Sequence, residues 1–383
     1  MTLDLTLTGA RVLMPDGLQE VSLSIADGII QTDARPRQVD LSGYLVLPGI
    51  IDVHGDAHER HVAPRRGAMK DIAEGLRAAE AELAAQGVTT ATIAQFSSWE
   101  GGVRGPEFAD QIFGALRDLR GDLVTDMRGQ LRFETCMTEH YADLPAKLAD
   151  WGVGYVVFND HLPHDRLAEG RKPPRLTGKA LGAGRNPDDY FAYLLELHAR
   201  GPEVRKMLPE LCKTLRSAGI QLGSHDDATE ADRQSWHALG VGVTEFPETA
   251  QAAETAKSQG SPIVLGAPNV VRGGSHKGNA SALDLIAMGL CDALASDYHY
   301  PSMRRAAWFV ADAGILDLAK AWGLLSSGPA RVLGLEDRGA LLPGLRADLI
   351  VMDPKTRRIG ATLSGGQASF LHGDVAERFV RAT

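Results

Sequence analysis

The stretch LPGIIDVHGDAHERH, residues 47–61, sets His54, His58 and His61 among Asp52, Asp56 and Glu59, directly after a run of apolar β-formers. In an extended segment residues i and i+2 project to the same side, so His54 and Asp56 can grip one cation. Imidazole nitrogen and carboxylate oxygen suit zinc, manganese or iron(II). Surplus carboxylates could bridge two ions, the arrangement that supports two-metal hydrolysis. Similar residue types recur downstream at Glu134, Asp160 and His161, His225 with Asp226 and Asp227, Glu245, and Asp297 with His299. His54, His58, His61, His161, His164, His225 and His299 make seven of the twelve histidines that fall in or just beyond these places. The chemistry this predicts is metal-assisted hydrolysis.

These residues need a scaffold that brings them together. Between about 48 and 335 apolar runs alternate with helical patterns. Strand candidates lie at about 49–54, 88–95, 129–136, 153–159, 219–224, 241–246, 262–267 and 292–297. Between the first two, Ile72, Leu76, Ala79 and Leu83 share a helical face that Gly87 ends. Eight strands alternating with helices match a (β/α)8 barrel, although a doubly wound sheet gives a similar count. The barrel is preferred because the polar clusters sit where strands end, and such barrels assemble their active sites from those ends. Residues 1–47 and 336–383 both read as short strands and turns. They predict one small β-sandwich domain built from both termini.

Bulk properties narrow the partners. The chain has 383 residues, 44% hydrophobic, with net charge −9. That acidity argues against a nucleic-acid surface. No apolar run approaches the roughly 18 residues of a membrane span, and the N-terminus lacks the pattern of a signal peptide, so the expected setting is cytoplasmic, without a membrane partner. Cys136, Cys212 and Cys291 show no metal or disulfide spacing, which leaves a metal to nitrogen and oxygen donors. A homodimer is the default assembly.

LPGIIDVH, the histidine after the fifth strand, SD after the eighth, and SSGPARVLGL followed by PGLRADLIVMD resemble the amidohydrolase superfamily over nearly the whole chain. Within it, NDHLPHDR, GSHDDATE, TEFPET, GAPNVVRGGSHKGN and SDYHYPS resemble the α-D-ribose 1-methylphosphonate 5-triphosphate diphosphatases of phosphonate metabolism. The resemblance implies a metal-dependent hydrolase that cleaves between the α and β phosphorus atoms, using one or two divalent ions, zinc first. The implied metal ligands are His54, Asp56, Glu134, His161, His225 and Asp297, with Asp297 and His225 catalytic and Asp297 moving the proton. A polyanionic substrate needs local cations, for which Arg60, Arg65, Arg66, Arg166, Arg272, His276 and Lys277 are the candidates. RGGSHKGN is the favoured phosphate cradle. The chain departs from the superfamily in carrying His54-Gly55-Asp56 where His-x-His is usual, and in lacking the usual strand-4 lysine and strand-6 histidine.

Plainer readings compete. His58 and His61 could be solvated loop residues, Glu134 could pair with an arginine, and Arg65 and Arg66 could form an exposed turn. Asp227 or Thr229 could cap the helix that follows. His140, His198, His237 and His372 sit in ordinary contexts, and Trp236 and Trp308 read as packing residues. Two rival functions remain: a deaminase or cyclic amidase acting on a small neutral substrate, whose arginines would point away from the metals, and a binding protein whose strand-end acids are spent in caps and salt bridges.

Overall fold

A computed structural model describes residues 2–64, 71–273 and 280–382. Eight parallel strands form the central sheet in sequential order. They are β1 (Ile50–Gly55), β2 (Val88–Ser97), β3 (Asp126–Glu134), β4 (Tyr155–Asn159), β5 (Gln221–His225), β6 (Val243–Glu245), β7 (Ile263–Gly266) and β8 (Ala293–Ala295). Every strand read from the sequence is present, within a few residues of its predicted limits. The sheet closes through a parallel bridge between Gly55 and Asp297. There the Asp297 N–H donates to the His54 carbonyl at 2.9 Å and the Asp56 N–H to the Asp297 carbonyl at 3.0 Å. The fold is a closed (β/α)8 barrel.

Alternation along the strands explains what faces the axis. Val53, Tyr155, Val157, Val243, Val264, Ala293 and Ala295 make one apolar cluster inside the barrel. Leu131, Phe133, Val156, Phe158, Leu222, Leu265 and Leu294 belong to the larger core beneath the helices. Helix α1 (Ile72–Ala85) shows how that core is covered. The Asp71 side chain accepts from Glu74 N–H to cap its start, and Leu76, Ala79 and Leu83 are buried, as their spacing predicts. It ends beside Gly87, whose φ of 85° suits a residue without a side chain. The long helical region predicted near 187–219 is two helices, Pro187–Ala199 and Gly201–Ser217.

Both termini contribute to the β domain. A six-stranded sheet pairs Leu45–Pro48 with Leu349–Met352 in antiparallel register, and a four-stranded sheet uses N-terminal strands alone. The two share one core that includes Leu5, Ile25, Val46, Leu349 and Leu363. A C-terminal helix, Gly373–Arg381, which the sequence reading did not anticipate, closes that core with Val375 and Phe379. The domain grips the barrel through hydrogen bonds, among them Trp322 Nε1 to the Pro48 carbonyl at 2.9 Å and Arg338 Nη1 to Asp126 Oδ2 at 2.7 Å. No helix among the described residues is long and apolar enough to cross a membrane.

Asp52 reinforces the barrel seam. Its buried carboxylate accepts from Ser296 N–H at 2.9 Å and from Ser296 Oγ at 2.5 Å, tying β1 to the chain just after β8. Replacing it leaves buried donors without acceptors. Asp52→Ala should therefore lose roughly 2–4 kcal/mol of stability, measured by chemical denaturation.

Candidate active site

The C-terminal ends of the strands bring His54, Asp56, His161, His225, Asp226, Glu245 and Asp297 together. Their ligand atoms fall into three overlapping groupings, each within 4.8 Å: His54, His225 and Glu245; His161, His225 and Asp226; and His54, Asp56 and Asp297. A break in the β1 register between Asp52 and Gly55 lies at the His54 position. Asp226, Phe246 and Asp297 adopt left-handed backbone at φ 60°, 53° and 54°. Non-glycine residues there cost on the order of 1–3 kcal/mol each, and such strain concentrates at functional sites. The Phe246 ring meets His54 and His225 edge-on, at 5.1 and 5.0 Å between ring centres.

Each histidine has a carboxylate behind or beside it. His54 Nδ1 donates to Glu245 Oε2 at 2.7 Å, with both side chains fully buried. Glu245 Oε1 also accepts from Gln130 Nε2 at 2.8 Å and Tyr155 OH at 2.7 Å. Glu245 thereby fixes the His54 ring, and its carboxylate also belongs to the first of the three groupings. His54 is left with a buried Nε2 that has no partner among the described residues, the orphaned donor a metal would use. The residues present therefore fit a divalent ion. His161 Nδ1 donates to Glu134 Oε1 at 2.5 Å, and Glu134 Oε2 accepts from Trp99 Nε1 and from the His161 N–H. Glu134 thus stands behind His161, and its partners are His161 and Trp99 rather than the arginine of the plainer reading. His225 Nδ1 lies 3.1 Å from Asp226 Oδ2.

Electrostatics follow from burial and neighbours. Burial, aided by the adjacent Arg132, lowers the His225 pKa to about 4. Burial and the Asp56 charge push Asp297 up to about 6. Asp226 is held well below the usual carboxylate range, burial being outweighed by His225, His161 and Arg132.

Arg132 escaped the sequence reading. It lies buried among the strand-end groups, donating from Nη2 to His225 Nε2 at 3.0 Å and from Nη1 to Asp56 Oδ2 at 3.3 Å. A signal existed: Gln130, Arg132 and Glu134 alternate with Leu131 and Phe133. Strands covered on both faces are normally apolar throughout, so polar residues at period two must face the axis. Glu245, noted as a strand-end acid, was left out of the ligand set, and Asp52 was given no role of its own.

The cation candidates separate. Arg272, at the end of the helix Ala267–Arg272 after β7, lines a cleft of about 230 Å³ together with Asp226, Phe246, Asn269, Asp297 and Tyr298, and it donates to the Tyr298 hydroxyl. Arg60 is instead paired with Glu82 and lies over the Tyr300 ring. Arg166 is exposed on the short helix after β4. Arg65, Arg66, Gly274, His276 and Lys277 lie outside the described residues. Asp160 pairs with His164 at 2.9 Å, away from the groupings. His58 is buried against Gln95, not solvated, and His61 pairs with Glu82. Asp227 is buried against Arg233 and Ser224, while Thr229 caps the following helix.

Comparison with known proteins places this geometry. The chain is 32% identical over 368 residues to the α-D-ribose 1-methylphosphonate 5-triphosphate diphosphatase of Escherichia coli K12, covering 92% of this chain and 96% of that one. The chain belongs to that diphosphatase family, within the amidohydrolase superfamily. No family model matches it. Among solved structures, the β-aspartyl dipeptidase of Fervidobacterium islandicum AW-1 aligns at TM-score 0.63 and 16% identity, over 97% of each chain. The N-acetylglucosamine-6-phosphate deacetylase of Pasteurella multocida aligns at 0.63 and 11%, over 96% of this chain and 99% of its own. A zinc-bound adenosine deaminase of Xanthomonas campestris aligns at 0.56 and 14%, over 98% and 96%. These likenesses are of fold; within the diphosphatase family the sequence relationship is far closer.

If Glu245 orients His54, Glu245→Gln, which keeps shape but removes charge, should weaken zinc binding about 10–100-fold, read by titration of metal-stripped protein.

Proposed function

We propose that the chain hydrolyses α-D-ribose 1-methylphosphonate 5-triphosphate to the 5-phosphate and diphosphate. Family membership supports the substrate class, and one geometric observation carries the reading: Arg272 faces the same cleft as Asp226 and Asp297. A guanidinium beside metal-capable carboxylates suits a phosphoanhydride and has no use for a neutral cyclic amide. It also speaks against a binding protein, because Asp56, Asp226 and Asp297 converge at the barrel mouth with ligand atoms near those of His54, His161 and His225.

In this reading His54, Asp56 and Asp297 hold a divalent ion, His225 and His161 adjoin it, and zinc is the first candidate among the metals that such nitrogen and oxygen donors suit. When bound, such an ion acts as a Lewis acid that activates water and offsets phosphate charge. The chain's own groups do the rest. Arg272 binds and orients a phosphate at one side of the cleft. Asp297 accepts the proton of the attacking water and passes it to the leaving diphosphate. Phe246, packed against both His54 and His225, keeps their rings in place and shields them from water. Arg60, Arg65, Arg166, His276 and Lys277 remain further phosphate contacts of the proposal, with the RGGSHKGN segment as cradle. A cytoplasmic homodimer is the proposed form.

The test is to supply the triphosphate to purified, metal-loaded protein and follow products by phosphorus NMR. Diphosphate should appear without stepwise orthophosphate, chelation should abolish turnover, and His225→Asn should be inactive. Arg272→Ala should lose roughly 10–100-fold in kcat/KM, the worth of one charge-assisted phosphate contact. An untouched triphosphate, with hydrolysis of a neutral cyclic amide, would sink the assignment.

A further inference from the structure

Arg132 stands between two of the groupings of metal-capable atoms. On one side are His54, Asp56 and Asp297, on the other His161, His225 and Asp226. Its guanidinium touches both, through Asp56 Oδ2 at 3.3 Å and His225 Nε2 at 3.0 Å. Nε donates to Asn159 Oδ1 at 3.4 Å, and the guanidinium carbon lies 3.9 Å from the centre of the Phe96 ring.

We propose that Arg132 is a built-in cation that holds the place of a second metal ion, so that the centre binds a single ion at His54, Asp56 and Asp297. This rests on the metal-hydrolase reading above and fixes the ion count that reading leaves open.

The distribution of lone pairs supports the choice. A metal ligand needs an uncommitted lone pair, and His225 Nε2 is spent on Arg132. His161 Nδ1 is held by Glu134, and His225 Nδ1, 3.1 Å from Asp226 Oδ2, makes no hydrogen bond to a described residue, so it is the Arg132 contact on His225 Nε2 that withdraws the second grouping. In the first grouping His54 Nε2 is buried without a partner, and the Asp297 carboxylate is hydrogen-bonded to no described residue. Arg132 is not easily displaced. Its side chain is only 6% exposed, stacked on an aromatic face and fixed by three polar contacts. A second cation placed beside it would face like-charge repulsion. The planar guanidinium can also donate to a phosphate oxygen, which is part of what a second ion does in two-metal sites.

The experiment uses zinc alone. Chelator-stripped wild type, Arg132→Lys and Arg132→Gln are titrated with Zn²⁺ by isothermal calorimetry, and bound metal is counted by elemental analysis, with folding checked by circular dichroism. Wild type and Arg132→Lys should take one equivalent, while Arg132→Gln should take two. Two equivalents in wild type overturn the proposal, whether or not the glutamine variant folds, and so does a folded Arg132→Gln that stays at one. Zinc bound by none of the three would overturn it together with the metal reading beneath it. Since no substrate is present, failure of the triphosphate assignment leaves the count unaffected.

Discussion

The barrel closes at the same place where its chemistry converges. The parallel bridge between Gly55 and Asp297 joins the first strand to the chain after the eighth, and its two hydrogen bonds involve the backbones of His54, Asp56 and Asp297. The fold cannot close without setting those three side chains side by side. Asp52 and Ser296 lock the seam one step deeper. Stability and site geometry are thus a single constraint, which is why a closed barrel can hold a strained Asp297 at φ 54°.

A crowded set of buried ionisable groups would be prohibitively costly if unpaired. Here the charges are distributed in pairs: Glu245 with His54, Glu134 with His161, Asp226 with His225, and Asp227 with Arg233. Arg132 lies among Asp56, Glu245, Asp297 and Asp226 and pairs with Asp56. The carboxylates behind the histidines fix ring orientation, so the nitrogens aimed at the centre are chosen by the partners at the rear. Asp56 and Asp297 have no such rear partner, and they face the opening, where a divalent ion and a phosphate chain would meet.

The β domain and the helices serve this arrangement at a distance. Trp322 ties the terminal sheet to the barrel at Pro48, just before β1, and Arg338 ties the C-terminal segment to Asp126 at the start of β3. Arg272 reaches the cleft from the helix after β7, a position that depends on loop geometry rather than on the barrel itself.

The sequence by itself determined the eight strands, their helices and the β character of both termini, because apolar periodicity is a local property that survives in any context. It also marked His54, Asp56, His161, His225 and Asp297, since polar residues at strand ends must converge once a barrel forms. Only the tertiary structure decided which of them face one another and which serve as supports. Glu134 lies behind His161, hydrogen-bonded to its Nδ1, and Arg60 is paired with Glu82. Arg132 and Asp52 acquire meaning only through partners 93 and 244 residues away along the chain. A residue's role in a buried polar network is set by what lies across the barrel, and no spacing along one strand encodes that.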